Sequence, residues 1–166
     1  MSEEEMRLHR CCFSGHRMEK LRCTEAEVKG WLEERIDEAI EDGFVTFLCG
    51  MGMGVDIWAG ECVQRKKSTG KDIRLICVTP YPGFSARWSD PWKKAYAELW
   101  QAADHRVMIE KSFAPDLFAR RNRYLVDHSS RLIVCYSGES GGTGDTVQYA
   151  LSQGLDVYEW IPGKEE

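Results

Sequence analysis

The sequence predicts an α/β protein with a Rossmann-like, open and mainly parallel sheet of about six strands, with helices on both faces. Two patterns indicate this fold. Short apolar runs alternate with segments of helical periodicity along the 166 residues. Three of these runs lead directly into loops rich in glycine, and in an open parallel sheet such loops gather at the carboxyl edge, where ligands bind.

Six segments are predicted as strands, and several are near-continuous apolar runs, as in strands covered on both faces. In chain order they are residues 8–14, 44–49, 73–79, 106–110, 131–136 and 155–161. We expect the third and fourth to be neighbours and the fifth to return beside the first, which gives the order 4-3-2-1-5-6. This order places the loops after the first and fifth strands together at the switch point.

Helices are predicted between the strands. Thr24 and Glu27 form a capping-box pattern, and the apolar residues that follow keep helical spacing until Gly43. Further helices are expected at residues 55–67, from Pro91 onward, from Ala114-Pro115, and up to about Gln153. The aromatic stripe of the helix after Pro91 is typical of a core face, although a stacking surface for a base is an alternative.

Length and composition favour one cytoplasmic domain spanning residues 1–166. No apolar run approaches the ~20 residues of a membrane helix, and the N-terminus lacks an apolar signal core, so we expect no membrane partner. The net charge of −5 argues against nucleic acid as a partner, because nucleic-acid-binding proteins usually carry a basic surplus. A homodimer is left open.

The seven cysteines include no CxxC pair. Five of them, Cys11, Cys12, Cys49, Cys77 and Cys135, lie inside apolar strand-like runs. They are predicted to be small buried side chains in a reducing compartment. No metal site is predicted, because the histidines have no ligand-like spacing.

The third glycine-rich loop (residues 137–144) follows a strand and opens a helix. In that arrangement free backbone N–H groups and the positive helix end can hold an anion. The first loop (residues 14–17) and the second loop (residues 50–56) follow strands in the same way. Together the three loops predict one shared site for a phosphate-bearing ligand.

The second loop, GMGMGVD, is not a dinucleotide fingerprint. Its glycines are Gly50, Gly52 and Gly54, so the GxGxxG spacing is absent, and its acid, Asp56, follows immediately instead of about 20 residues later. Two roles stay open for Asp56, which could cap the following helix or accept a hydrogen bond from a ribose hydroxyl.

The motifs in order are SGHR, CGMGMGVDIWA, VTPYPG, FARRNRYLVDHSSRLIV and SGGTGDTVQYA. In this order and spacing they resemble the SLOG superfamily, which groups DNA-processing (Smf/DprA) proteins with the Lonely Guy enzymes, and within it the YpsA-like branch. The resemblance covers nearly the whole chain. It implies a nucleotide or nucleotide-derived ligand, such as ADP-ribose, NAD or a nucleoside monophosphate, on a Rossmann-like sheet.

Matched residue by residue, the resemblance gives Gly141, Gly142 and Gly144 as a phosphate-binding motif, with Arg121 and Asn122 on a basic helix facing it. The chain departs from the Lonely Guy GGxGTxxE pattern, because Gln148 stands where those phosphoribohydrolases carry a glutamate. An amide cannot act as a general base or stabilise an oxocarbenium ion. The favoured function is therefore a binding protein, a sensor or regulator, with a nucleotide hydrolase as the alternative.

The predicted ligand-binding residues are Ser14, Gly15, Arg17, Gly50, Gly52, Gly54, Asp56, Tyr81, Arg121, Asn122, Ser137, Gly141, Gly142, Thr143, Gly144 and Thr146, with Trp88 as a second aromatic cover for a base. His16, Asp145 and Glu61 are candidates for a catalytic role, although His16 shows no catalytic partner in the sequence. The arginines at positions 120, 121 and 123 have three open roles, which are surface ion pairing, binding of a nucleotide phosphate, and a path for single-stranded DNA.

Overall fold

Six parallel strands form one sheet in the computed structural model, which describes residues 2–164. In chain order they are β1 (Arg10–Gly15), β2 (Thr46–Cys49), β3 (Arg74–Thr79), β4 (His105–Met108), β5 (Arg131–Cys135) and β6 (Asp156–Trp160). They lie side by side as β4-β3-β2-β1-β5-β6, which confirms the predicted order. Because every neighbouring pair is parallel, all carboxyl ends lie at one edge.

The helices within residues 2–164 are α1 (Glu3–Arg7), α2 (Glu25–Glu41), α3 (Val55–Ser68), α4 (Asp90–Ala102), α5 (Leu117–Asp127) and α6 (Gly142–Ser152), with a 3-10 turn at Met18–Lys20. The capping box that starts α2 is confirmed, since Thr24 and Glu27 exchange both expected hydrogen bonds. None of these described helices has the length and apolar character needed to cross a membrane.

Two element boundaries differ from the prediction. The first strand begins at Arg10 instead of residue 8, because residues 8 and 9 form a turn after α1. Ser2 caps α1 by accepting a hydrogen bond from the Glu5 backbone at 3.2 Å. Helix α5 begins at Leu117 instead of at the Ala114-Pro115 pair, because the chain first makes a turn in which the Leu117 amide donates to the Ala114 carbonyl.

The sheet is covered on both faces, as predicted for a Rossmann-like fold. Helices α2, α3 and α4 pack on one face and α5 and α6 on the other, forming two separate apolar clusters. In β1 the side chains alternate between them, with Phe13 in the first cluster and Cys12 in the second. The aromatic stripe of α4 packs on the first cluster, which agrees with the expected core role.

All five strand cysteines are fully buried and unpaired. Burial raises the pKa of Cys12, Cys77 and Cys135 to about 12, and it raises the pKa of Cys11 and Cys49 well above the ordinary thiol value. Their thiols therefore stay protonated and behave as small apolar groups.

Candidate functional site

The three loops meet at the carboxyl edge of the sheet because β1 lies between β2 and β5. The pairing of β1 with β5 continues to the end of both strands, where Gly15 lies opposite Cys135. The first loop is therefore flanked by the second loop on one side and the third on the other. This is the switch point of the sheet, where ligands of open α/β folds bind.

His16 in the first loop contacts both other loops. Its backbone N–H donates to the carbonyl of Cys135 at 3.2 Å, and its own carbonyl accepts from the Val55 N–H of the second loop at 3.5 Å. Its ring lies between two hydroxyl groups of the third loop, with Nε2 at 3.0 Å from Ser137 Oγ and Nδ1 at 3.4 Å from Thr143 Oγ1. One residue thus joins all three loops.

Burial lowers the pKa of His16 below its ordinary value, and the nearby charge of Lys20 lowers it further. The ring is therefore mainly neutral at pH 7, and both of its nitrogens already have hydrogen-bonding neighbours. This geometry suits a residue that positions the loops. An acid–base role for His16 stays a prediction.

Two glycines allow the loops to approach each other. A Cβ on Gly15 would lie 2.5 Å from the Cβ of Val55 and 2.6 Å from the carbonyl oxygen of Cys135, so a side chain there would push the first loop away from the others. Gly54 has a φ of +96°, and a Cβ there would lie 2.8 Å from the carbonyl oxygen of His16.

Two buried side chains of opposite charge, Asp56 and Arg121, lie beside the second loop. Asp56 is the second residue of α3, while Gly54 holds the N-cap position, so Asp56 does not cap this helix. Its Oδ2 accepts from the Gly52 N–H at 3.0 Å, while its buried Oδ1 has no partner among the described residues. Burial raises the pKa of Asp56 to about 6, although the charge of Arg121 and the Gly52 hydrogen bond both oppose this shift.

Arg121 reaches the second loop from α5 on the other face of the sheet. It is 9% exposed, and its guanidinium donates to the carbonyl of Gly50 and to Asn122 Oδ1. The same guanidinium lies 5.7 Å from the centre of the Phe84 ring. The arginines on either side differ, since Arg120 is exposed and pairs with Glu110 while the exposed Arg123 lies over the Tyr149 ring. Of the three, Arg121 is the one that faces the loops.

Four aromatic side chains form a wall beside Arg121. Phe84 is at their centre, with ring distances of 5.9 Å to Tyr81, 5.3 Å to Trp88 and 5.7 Å to Phe118. The first three belong to the loop between β3 and α4, and Phe118 comes from α5. Partly buried rings held against one another in this way offer apolar surface to a flat ligand group.

The loops, the side chains of Asp56 and Arg121, and the aromatic wall enclose a cleft of about 610 Å³. This volume lies in the usual range for small-molecule sites. The predicted ligand and catalytic residues that line it are Ser14, Gly15, His16, Arg17, Asp56, Tyr81, Arg121, Asn122, Gly142 and Thr143, and Trp88 lines it as well.

The other predicted residues frame the cleft without lining it. Gly50, Gly52, Gly54, Ser137, Gly141, Gly144 and Thr146 are absent from its surface. Gly144 makes room for the third loop, because a Cβ there would lie 2.9 Å from the Glu139 carbonyl oxygen. The hydroxyl of Thr146 donates to the Gly142 carbonyl within α6, at 2.8 Å.

Two of the catalytic candidates lie elsewhere. Glu61 is half-buried on α3 near Lys29 and Arg65, and does not line the cleft, because it is almost two helical turns beyond the second loop. Asp145 is exposed in the first turn of α6 and borders a neighbouring cavity.

Residues that sequence reasoning missed include Lys20, Phe84 and Phe118, all of which line the cleft. The signal for Phe118 was available, since it precedes Arg121 by three residues and so shares its helix face. Phe84 follows Tyr81 in the same aromatic loop, but nothing in its spacing distinguishes it from a core residue.

The cleft has a basic rim that continues into a further cavity of about 360 Å³. Arg17 and Lys20 border the cleft, and Lys20, Arg22 and Lys164 border the further cavity. None of these four forms a salt bridge with a carboxylate of residues 2–164. A local positive region therefore exists on a chain of net negative charge.

Comparison with known proteins identifies the family. The YpsA family model, described as the YspA SLOG family, matches residues 11–156. This chain belongs to the YpsA SLOG family. The superfamily resemblance predicted from the motifs is thereby confirmed.

Relatives in the YpsA SLOG family carry general names. A UPF0398 protein of Halalkalibacterium halodurans is 32% identical over 118 residues, which are 70% of this chain and 62% of the relative. An SPbeta prophage-derived protein of Bacillus subtilis, YoqJ, is 27% identical over 150 residues, which are 82% of this chain and 88% of the relative. The chain therefore matches less than two thirds of the length of the first of these.

Two solved structures that resemble this YpsA SLOG chain are DNA processing proteins A. That of Streptococcus pneumoniae has a TM-score of 0.68 and 18% identity, over 93% of this chain and 50% of the other. That of Helicobacter pylori, which was solved for its single-stranded DNA binding mode, has a TM-score of 0.65 and 20% identity, over 95% of this chain and 66% of the other. These matches confirm the Rossmann-like fold.

These neighbours also correct one prediction. The expectation that nucleic acid is an improbable partner is contradicted, because a chain of the same fold is a single-stranded DNA binder. The expectation rested on the net charge of −5 for the whole chain. Net charge does not report how charges are distributed, and here unpaired cations gather around the cleft.

Proposed function

We propose that the cleft binds a nucleotide-derived ligand that carries phosphate, and that the protein acts as a sensor or regulator in the cytoplasm. One observation carries this proposal, namely that a buried guanidinium, an unpartnered buried carboxylate oxygen and an aromatic wall face a single cleft of about 610 Å³. These groups match the phosphate, the ribose and the base of a nucleotide.

The starts of two helices support the proposal that the cleft binds the phosphate of the ligand. Both α3 and α6 begin at glycine N-caps, and no side chain caps either of them. At α6 the backbone N–H groups of residues 142–144 have no acceptor among the described residues and are available to an anion, whereas at α3 the Val55 and Ile57 N–H groups already donate to the carbonyls of His16 and Gly52. The positive ends of both helix dipoles favour an anion. Arg121 adds a full positive charge in a buried position, where an ionic hydrogen bond to phosphate is strong.

Asp56 and the aromatic wall support the proposal that the cleft also binds the ribose and the base of the ligand. The free Oδ1 of Asp56 needs a hydrogen-bond donor, and a ribose hydroxyl that faces the cleft would supply one. Tyr81 and Trp88 are half-buried and offer ring faces or edges for the base.

A binding role is favoured over hydrolysis by the residue at position 148. Gln148 is exposed on α6 and does not line the cleft. Neither its chemistry nor its place therefore supplies the carboxylate that a phosphoribohydrolase needs next to the scissile bond.

The experiment is a thermal-shift and calorimetric screen against AMP, ADP, ADP-ribose and NAD. At 100 times its dissociation constant, a bound ligand should stabilise the protein by about 2.7 kcal/mol. Gly142→Val should abolish the shift, because it adds bulk at a residue that lines the cleft, while a Cβ there would have no atom within 4 Å and so would not disturb the fold. Gly30→Val is the matched control, since Gly30 has equal free space on exposed α2. The proposal fails if no nucleotide shifts the melting temperature, or if Gly142→Val binds as the wild type does.

A second candidate function is single-stranded DNA binding at the same cleft. It is favoured by the fold shared with the Helicobacter pylori protein and by the unpaired cations of the rim. Rim cations would contact successive phosphates, so affinity should fall with salt at a slope of about −0.7 for each contact.

This candidate is tested with a fluorescent oligonucleotide at several salt concentrations. Lys20→Ala with Arg22→Ala should weaken binding and flatten the salt dependence. Lys93→Ala with Lys94→Ala removes the same charge from the exposed surface of α4 and should change neither. Equal loss in both double variants would show non-specific attraction and would exclude a defined path at the rim.

A further inference from the structure

A second cavity, of about 420 Å³, lies between α5 and α6 beside the cleft. We call it the α5–α6 pocket, and its walls include Phe118, Asn122, Arg123, Asp145 and Tyr149. We propose that it binds a second nucleoside of the same ligand, so that the protein selects molecules in which phosphate joins two nucleosides. This inference rests on the proposed function of the cleft.

The α5–α6 pocket and the cleft adjoin each other. Phe118, Asn122 and Gly142 line both, so these three residues mark the boundary between the two cavities. Gly142 is the first residue of α6, where the helix start favours phosphate. A ligand whose phosphates lie at Gly142 can therefore extend one nucleoside into each cavity.

The far wall of the pocket is aromatic and fixed in place. The Tyr149 hydroxyl donates to Asp127 Oδ1, and the guanidinium of Arg123 lies 5.7 Å from the ring centre. The near wall is Phe118, which is 40% exposed. A pocket with an aromatic side chain on each helix and the small residue Ala119 between them suits a flat heteroaromatic ring.

The polar groups of the pocket favour the uncharged part of a nucleotide. Asp145 is exposed and forms no salt bridge with residues 2–164, so its carboxylate can accept from a ribose hydroxyl or a base amino group.

The test is calorimetry with AMP, ADP, diadenosine diphosphate and the dinucleotide pdApdA. A ligand with two nucleosides should bind at least tenfold more tightly than ADP, which has one. Two nucleosides joined by phosphate could come from a small molecule or from single-stranded DNA. Diadenosine diphosphate represents the small molecule, and pdApdA represents two successive nucleotides of single-stranded DNA. Tighter binding of either supports the second nucleoside site and names its source.

Variants of residues that line the α5–α6 pocket test whether the tighter binding of two-nucleoside ligands depends on this pocket. Tyr149→Ala should reduce the affinity for the two-nucleoside ligand to that of ADP and leave AMP binding unchanged. Leu151→Ala, a truncation of a 54% exposed side chain on the same helix, should change neither. Ala119→Phe fills the pocket from an exposed position and should act as Tyr149→Ala does, which covers the case that the tyrosine variant folds poorly.

Failures of the two proposals differ. If AMP and ADP bind but two-nucleoside ligands bind no more tightly, or if Tyr149→Ala and Ala119→Phe both leave the difference intact, the pocket assignment is overturned and the cleft assignment stands. If none of the four compounds binds, both are overturned.

Discussion

The ionised carboxylate of Asp56 should destabilise the folded protein at neutral pH, and Asp56→Asn should relieve this cost. The asparagine amide would keep an oxygen for the Gly52 N–H, with which Asp56 now makes a 3.0 Å hydrogen bond. The substitution removes the charge from a buried position and changes the size of the side chain very little.

The magnitude follows from the pKa of Asp56, which burial raises from 3.8 to about 6. At about 1.4 kcal/mol for each pKa unit, this shift corresponds to roughly 3 kcal/mol. Between these pH values the unfolded carboxyl group is ionised while the folded one keeps its proton. Folding therefore takes up a proton, and the free energy of unfolding falls as the pH rises from about 4 to about 6. Above about pH 6 the buried Asp56 carboxylate is ionised, and the free energy of unfolding is lower by the full amount of roughly 3 kcal/mol.

The assay is chemical and thermal denaturation of both proteins from about pH 4 to about pH 8. Near pH 4, Asp56→Asn and the wild type should have the same free energy of unfolding. At pH 8 the free energy of unfolding of the variant should be higher by about 3 kcal/mol. For a chain of this size, that difference is a rise in melting temperature of about 6–12 °C. Asp156→Asn makes the same change at an exposed position of β6 and should show no such divergence. A variant that parallels the wild type across the range, or is less stable at pH 8, would refute the reasoning.

Further predictions concern the backbone and the caps, and denaturant titration tests all of them. Gly15→Ala should destabilise by about 1–3 kcal/mol, because its Cβ would overlap Val55 and the Cys135 carbonyl, and a wild-type midpoint would contradict the close packing of the loops. Gly30→Ala should instead stabilise α2 by about 0.5–1 kcal/mol, since it adds helix propensity in free space. Thr24→Ala should cost about 1 kcal/mol through loss of the capping box, and no change would mean that the cap does not contribute.

Much of the fold follows from local sequence patterns. The strand order could be predicted because apolar runs, short connections and right-handed crossovers leave few topologies for six alternating units. The start of α5 could not, because proline at a helix start is only a preference, and here residues 114–117 form a turn instead. Helix α1 escaped prediction because a five-residue helix depends on one serine cap and three early acids.

The candidate site, like the fold, could be predicted from the sequence only in part. The convergence of the three loops could be predicted, since parallel strands carry their loops to one edge and β1 lies between the other two strands. Which residues face the cleft could not, because a loop residue can point to ligand or to another loop. Ser137 shows this difference, since its hydroxyl contacts His16 rather than the cleft surface.

The position of His16 bears on the choice between binding and catalysis. A general base must be free to take a proton from the reacting group, yet both ring nitrogens of His16 face hydroxyl groups of the third loop, at 3.0 and 3.4 Å. Moving the ring towards a substrate would break the contacts that hold the third loop beside the first. The start of α6, where we propose that phosphate binds, follows directly from the third loop. A movement of His16 during catalysis would therefore loosen the proposed phosphate site. The arrangement therefore favours a protein that holds its ligand intact.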